Sequence, residues 1–166
     1  MARWNKTPVS AELVKDLCQR FKIDPVSASI MVRRHVTEGA DIMYFLENDL
    51  RFQHCPFMFS EMEDAVDRIL AAKEENEKVL IFGDRDVDGV SSTTILYECL
   101  KDMGMDVQWR IPTGDQVYGL TKEAVDDFEK QGGTLIITVD CGITSADEID
   151  YAADKCIDVI VTDHHN

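Results

Sequence analysis

The chain has 166 residues, 45% of them hydrophobic and 30% charged, which suits one full domain or one and a half small ones and excludes a disordered or collagen-like polymer. No apolar run approaches the roughly 20 residues of a bilayer helix, and Met1 to Lys6 lack the apolar core of a signal peptide, so a cytoplasmic protein without membrane contact is expected. The net charge of −15 argues against affinity for a polyanion, but it is unevenly placed: residues 1–60 carry 8 Lys/Arg against 7 Asp/Glu, and residues 61–166 carry 9 against 25. That asymmetry predicts a boundary, with a helical leader over 1–60 and a second domain over 61–166. The five cysteines, Cys18, Cys55, Cys99, Cys141 and Cys156, are scattered and form no CxxC pair. They read as buried thiols, not as a disulfide or zinc framework.

In the leader, Val9, Leu13, Leu17 and Phe21 fall on one helical face. Asp24-Pro25 then supplies an N-cap with proline at the first helical position. The second helix carries Val26, Ile30, Met31 and Val36 and is expected to stop at Gly39. The aromatic-rich stretch from Asp41 to Phe59, interrupted by Pro56, reads as a wrapping connection. Ser60 with Glu63 predicts a capping box for a helix with the stripe Met62, Val66, Ile69 and Leu70.

From there short apolar runs alternate with helical stripes. Val79 to Phe82 is a strand, followed by a helix with Ile95, Leu96, Cys99, Leu100 and Met103, closed by Gly104. Val107 to Ile111 is the next strand, and a helix around Ala124, Val125 and Phe128 ends at Gly132-Gly133. Leu135 to Val139 is the third strand, and Ser145 with Glu148 predicts a capping box for a helix through Ile149 and Ala153. Ile157 to Val161 is the last strand. Strands apolar on both faces and joined by helices predict an α/β fold, Rossmann-like, with a parallel sheet covered by helices on both sides.

Ligands of such sheets bind beyond the carboxyl ends of the strands. Three of the four strands run there into acidic or histidine-bearing segments: Gly83-Asp-Arg-Asp-Val-Asp-Gly89, Asp140-Cys-Gly142 and Asp163-His-His165. If the first of these is extended, its period of two sets Asp84, Asp86 and Asp88 on one side and Arg85 on the other. Carboxylates gathered without a basic partner repel one another unless cations neutralise them. The mixed oxygen and nitrogen donors favour Mn²⁺ over Ca²⁺ or Mg²⁺, with Mg²⁺, Zn²⁺ and Fe²⁺ left open. A pair of ions about 3.5 to 4 Å apart would clamp a phosphoryl group and activate water.

An acidic residue after a strand is by itself more often a cap or a solvated turn, and it is the conjunction of three motifs at equivalent positions that points to a metal. An EF-hand loop does not fit, because its twelfth position is Ile95. A haloacid-dehalogenase-like site would place its first aspartate directly after the strand, and a receiver domain leaves Asp163-His-His165 unexplained.

The three motifs together resemble those of the DHH phosphoesterase superfamily. Val79 to Ser92, Arg110-Ile-Pro112, Tyr118-Gly-Leu120 and Leu135 to Ile143 are similar, in order and spacing, to its RecJ-type exonucleases. So are Trp4, Arg33 to Leu46 and Met62 to Ile69, which resemble the helical preamble of those enzymes. The resemblance implies metal ligands at Asp86, Asp88, Asp140 and His164, with Asp84 contributing and Asp140 bridging two ions. It implies that Asp163 orients the histidines and that His165 binds metal or the scissile phosphate. Gly89, Ser91 and Ser92, at a helix N-terminus, would either contact a phosphate or simply cap the helix.

The implied activity is Mn²⁺- or Mg²⁺-dependent 5′ to 3′ hydrolysis of single-stranded DNA to 5′-mononucleotides, in DNA repair and recombination. The alternatives are another DHH phosphoesterase, acting on oligonucleotides, cyclic dinucleotides or pyrophosphate, and a non-catalytic relative serving as a replication scaffold. Thr113-Gly-Asp-Gln-Val117 departs from the family, whose members usually carry a basic residue there. Members also continue past the third motif, so the chain is expected to be an N-terminal fragment that folds but does not degrade DNA alone, with single-stranded DNA held mainly by the remainder.

Overall fold

The computed structural model describes residues 7–47 and 49–165. Trp4, quoted in the resemblance, lies outside them. The chain divides into two compact units, Met1–Met58 and Phe59–Asn166.

The first unit holds α1 (Ala11–Phe21), α2 (Pro25–Arg33) and α3 (Gly39–Leu46), followed by 3₁₀ turns at Leu50–Phe52 and Pro56–Met58. Leu17, Ala28 and Ile42 make its buried centre, ringed by Val14, Phe21, Met31, Val32 and Val36. Asp24 caps α2 as its sequence predicts, accepting from the Val26 and Ser27 amides, with Pro25 following. Two expectations fail here. Val26 and Ile30 are exposed, so the buried side of α2 is the Ala28, Met31 and Val32 side. Gly39 opens α3 and stops nothing, because the chain leaves α2 through His35, whose left-handed φ of 58° already breaks the helix. The expected wrapping connection therefore begins with a helix.

The second unit contains β1 (Lys78–Gly83), β2 (Asp106–Arg110), β3 (Gly133–Val139) and β4 (Asp158–Thr162), with α4 (Met62–Glu74), α5 (Val87–Asp102), α6 (Lys122–Glu129) and α7 (Ala146–Asp154). All strand pairs are parallel and the order is β2-β1-β3-β4. The α/β expectation holds, with helices on both faces. Leu80, Phe82 and Ile136 pack under Ala124, Val125, Phe128 and Ala152 of α6 and α7. On the opposite face Val79, Ile81, Leu135 and Ile137 meet Ile69, Ala72, Leu96 and Leu100 of α4 and α5. The chain steps from β1 to β2 on one side and continues to β3 and β4 on the other. The strand order thus reverses between β1 and β3, where a parallel sheet opens a crevice at its carboxyl edge.

Several local expectations are corrected. The Ser60 capping box is not formed. The α4 N-cap is Glu61, without a side-chain cap bond. Ser145 does precede α7, but its hydroxyl makes no cap bond and lies buried beside Gly119. Ile95 and Cys99 face away from the core, which α5 meets through Thr93, Leu96 and Leu100. Of the cysteines only Cys141 is buried, while Cys55, Cys99 and Cys156 are exposed.

At the amino edge of the sheet, Arg68 of α4 donates its two terminal nitrogens to Glu77 and its Nε to Asp158, while the Thr134 hydroxyl also bonds Glu77. One guanidinium therefore ties a helix to the starts of β1 and β4, Thr134 brings in the start of β3 through Glu77, and Glu77 is only 14% exposed. Arg68→Ala leaves that carboxylate without its charged partner and should lower unfolding free energy by about 1–3 kcal/mol, as measured by urea denaturation.

Candidate metal centre

β1 ends at Gly83, and the chain turns into α5 within three residues. Two glycines permit this. A methyl on Gly89 would overlap the main chain of Asp84, and one on Gly83 would overlap the Thr93 hydroxyl. The first turn of α5 thus lies directly on the end of β1, which buries Asp84. Asp86 is the N-cap: its Oδ1 accepts from the Asp88 amide at 3.0 Å and the Gly89 amide at 3.1 Å. Those amide bonds hold its carboxyl below the usual range, with burial opposing them.

Because the helix starts at Val87, the acidic run is not extended and does not keep a period of two. Asp84 and Asp86 converge with Asp140, each offering an oxygen within 4.8 Å of the others. Asp88, in the first helical turn, is carried instead to the wall of an adjoining groove. Arg85 points to neither, donating to the Gly114 carbonyl at 2.8 Å.

Asp140 follows β3 with a left-handed φ of 60°, a conformation that aspartate tolerates better than most residues. Its amide extends the β3 to β4 pairing by donating to the Thr162 carbonyl at 2.8 Å. The side chain, 5% exposed, has Oδ1 3.0 Å from His164 Nε2. Burial, then the negative charge of Asp86, pushes the Asp140 carboxyl up. His164 and His165 leave β4 with their ring centroids 4.5 Å apart, and with Asp140 they form a second group of converging ligand atoms.

Asp163 is the organiser of this strand end. Its Oδ2 accepts from the Ile143 amide at 3.0 Å, and its Oδ1 lies 3.0 Å from the His165 amide and 2.7 Å from His165 Nδ1. Burial opposes its ionisation, but these bonds outweigh it and hold the carboxyl down at about 2. The same contact raises the His165 pKa. An Nδ1–H directed at Asp163 leaves Nε2 as the nitrogen with a free lone pair, the form in which histidine ligates metals.

Among the described residues, two buried carboxylate oxygens here, Asp84 Oδ1 and Asp140 Oδ2, have no hydrogen-bond partner. A groove of about 420 Å³ opens beside them, lined by Asp88, Ser91, Ser92, Ile95, Asp140, Thr162, Asp163 and His164.

The predicted phosphate contacts are only partly met. The Gly89 amide is committed to Asp86, while the Ser91 and Ser92 hydroxyls line the groove but donate back to the Val87 and Asp88 carbonyls. Sequence reasoning also missed Tyr118, whose hydroxyl donates to the Asp140 carbonyl at 3.2 Å and lies 3.2 Å from His165 Nδ1. Burial, then the charge of Asp163, pushes this phenol up to about 12. The signal was the Tyr118-Gly-Leu120 triplet, which was legible as a similarity but not as a contact.

Residues 78–166 match the model of the DHH family, N-terminal domain. The single-stranded-DNA-specific exonuclease RecJ of Bacillus subtilis is 35% identical over 98% of the chain, which covers 21% of that protein. The RecJ of Escherichia coli is 30% identical over 87% of the chain and 25% of its own length. Among solved structures, RecJ from Thermus thermophilus in complex with Mn²⁺ aligns over 95% of the chain and 22% of its own, with a TM-score of 0.66 at 25% identity. An exonuclease RecJ bound to manganese aligns over 62% of the chain and 27% of its own, with a TM-score of 0.58 at 35% identity. The chain thus spans about a fifth to a quarter of the length of these relatives.

Asp163→Ala strands the Ile143 and His165 amides and should lower stability by about 1–3 kcal/mol at pH 7. The folded carboxyl titrates at about 2 and the unfolded one near 3.9. Its contribution is therefore complete above about pH 4 and disappears as the pH falls through 2. Denaturant titrations of the two proteins should converge across that interval.

Proposed function

The chain belongs to the DHH family, and on that footing we propose that it supplies the metal-holding end of a nuclease that cuts single-stranded DNA from the 5′ side to mononucleotides, in DNA repair and recombination in the cytoplasm. The observation that carries the metal reading is the pair of buried, partnerless carboxylate oxygens on Asp84 and Asp140. A buried carboxylate oxygen without a donor is costly, and the further carboxylate and imidazole atoms gathered around these two favour a cation as the group that meets them. Asp84, Asp86, Asp140 and His164 would hold Mn²⁺ or Mg²⁺, with Asp140 facing both groups of converging ligands, and Asp88 would join from the groove wall. The relatives crystallised with Mn²⁺ support that choice of ion.

A divalent cation at this edge supplies positive charge to the scissile phosphate and lowers the pKa of water. The protein's own groups do the rest. Asp163 fixes the His165 ring with Nδ1 protonated, so Nε2 keeps a lone pair that can ligate a metal or accept a proton, and once protonated can donate to the phosphate. The groove volume, about 420 Å³, lies in the range of small-ligand sites, and Ser91 and Ser92 stand on its wall, where their hydroxyls can rotate toward a phosphate oxygen. The net charge of −15 repels a DNA strand, so gripping of single-stranded DNA is assigned to the further length that the relatives possess. The domain reading follows the same division, with a helical leader over 1–60 and the N-terminal part of the DHH domain over 61–166.

Isothermal titration of the 166-residue chain with Mn²⁺ should show binding that Asp140→Asn weakens by at least about tenfold. The full-length protein should release 5′-mononucleotides from single strands only with Mn²⁺ or Mg²⁺, incorporating oxygen from water in a single turnover. Titration unaffected by Asp140→Asn would remove the metal site and favour the scaffold. Hydrolysis confined to short oligonucleotides, cyclic dinucleotides or pyrophosphate would move the chain to another branch of the family.

A further inference from the structure

The loop between β2 and α6 is anchored to the carboxyl edge from two directions. Arg85 donates to the Gly114 carbonyl at 2.8 Å, and the Tyr118 hydroxyl donates to the main-chain carbonyl of Asp140 at 3.2 Å. The second anchor is chemically specific. A carbonyl oxygen can only accept, so the single phenolic proton is committed to Asp140. The Tyr118 oxygen is then an acceptor toward His165 Nδ1, 3.2 Å away, the same nitrogen that lies 2.7 Å from Asp163 Oδ1. Both neighbours of that nitrogen therefore require it to carry the proton. Tyr118 also sets its ring edge-on to the His165 ring, 84° between planes. One hydroxyl thus touches the left-handed backbone that aims the Asp140 carboxylate and the ring that Asp163 orients.

We propose that Tyr118 is a positioning residue of the metal centre, its hydroxyl coupling the 112–119 loop to Asp140 and His165 so that cation binding and loop order reinforce each other. The inference rests on the metal reading above. Coupling of this kind is reciprocal: if the hydroxyl favours the arrangement that binds the cation, then the cation favours the arrangement in which the loop is held.

Tyr118→Phe keeps the ring and removes only the hydroxyl, so a purely structural role predicts unchanged behaviour in both measurements below. Hydrogen exchange of the 113–118 amides, followed by mass spectrometry, should slow several-fold when Mn²⁺ is added to the wild-type chain. In Tyr118→Phe that slowing should vanish, and calorimetric Mn²⁺ affinity should fall by about 10- to 100-fold, the range for groups that orient ligands. The melting temperature without metal should stay near that of the wild type. Mn²⁺ binding that is lost in Asp140→Asn but unchanged in Tyr118→Phe, with loop exchange indifferent to metal, overturns the role of Tyr118 and leaves the metal centre standing. Absence of Mn²⁺ binding by the wild-type chain overturns the metal reading, and this inference falls with it.

Discussion

Everything at the carboxyl edge depends on how closely the first turn of α5 approaches the end of β1. Gly89 lies against the main chain of Asp84, and Gly83 lies beneath Thr93, at separations no side chain would permit. That approach buries Asp84, makes Asp86 a cap and rotates Asp88 toward the groove. It also directs the amino end of a 16-residue helix at the gathered carboxylates, where the partial positive charge of the helix favours anions. A single β-carbon at either position would separate helix from strand and scatter the acids.

The acids then create an electrostatic problem that the protein resolves only in part. Asp86 accepts from amides, and Asp163 from amides and a histidine, and these bonds hold both carboxyls down in their charged form. Asp140 is pushed the other way by burial and by Asp86, and it keeps one oxygen with no partner, as does Asp84. This unevenness separates two roles. Asp163, bonded through both oxygens, builds the scaffold, Asp84 and Asp140 each keep an oxygen for charge from outside, and Asp86 does both, capping α5 through Oδ1 while converging with the other two. A cation held by these residues would relieve the repulsion between Asp86 and Asp140.

The alternation of strand and helix was legible because it rests on long-range burial, which the periodicity of Val79 to Phe82, Leu135 to Val139 and the α6 stripe expresses directly. The site motifs were legible for the same reason, since each follows a strand whose end is fixed by hydrophobic pattern. What could not be read was the local phase. Alternation in Asp84, Asp86 and Asp88 looks like an extended segment, yet Asp86 is itself a strong N-cap, and the competition between strand continuation and helix initiation is decided by the two glycines in three dimensions. The Ser60 and Ser145 capping boxes failed for different reasons: α4 starts one residue later, with Glu61 at its N-cap, and the Ser145 hydroxyl is taken into a buried niche beside Gly119. Tyr118 was hidden because its partners lie 22 and 47 residues away in sequence, and no local pattern encodes such a contact.

The two edges of the sheet show how a parallel architecture separates stability from chemistry. At the amino edge, Arg68 satisfies Glu77 and Asp158 at once, and Thr134 adds a further bond, so polar groups from α4 and the starts of the strands are paired. At the carboxyl edge, strand ends from either side of the β1 to β3 reversal deliver aspartates and histidines whose mutual placement opposes folding. Because all strands run the same way, every connection that begins at the carboxyl edge is free to carry functional residues while its return is anchored at the amino edge. The partnerless oxygens of Asp84 and Asp140 can persist because the bonds that hold the strands in register lie elsewhere. The same separation sets the buried, partnerless carboxylate oxygens in the segments after β1 and β3, and the thoroughly paired guanidinium of Arg68 on the helix that precedes both strands.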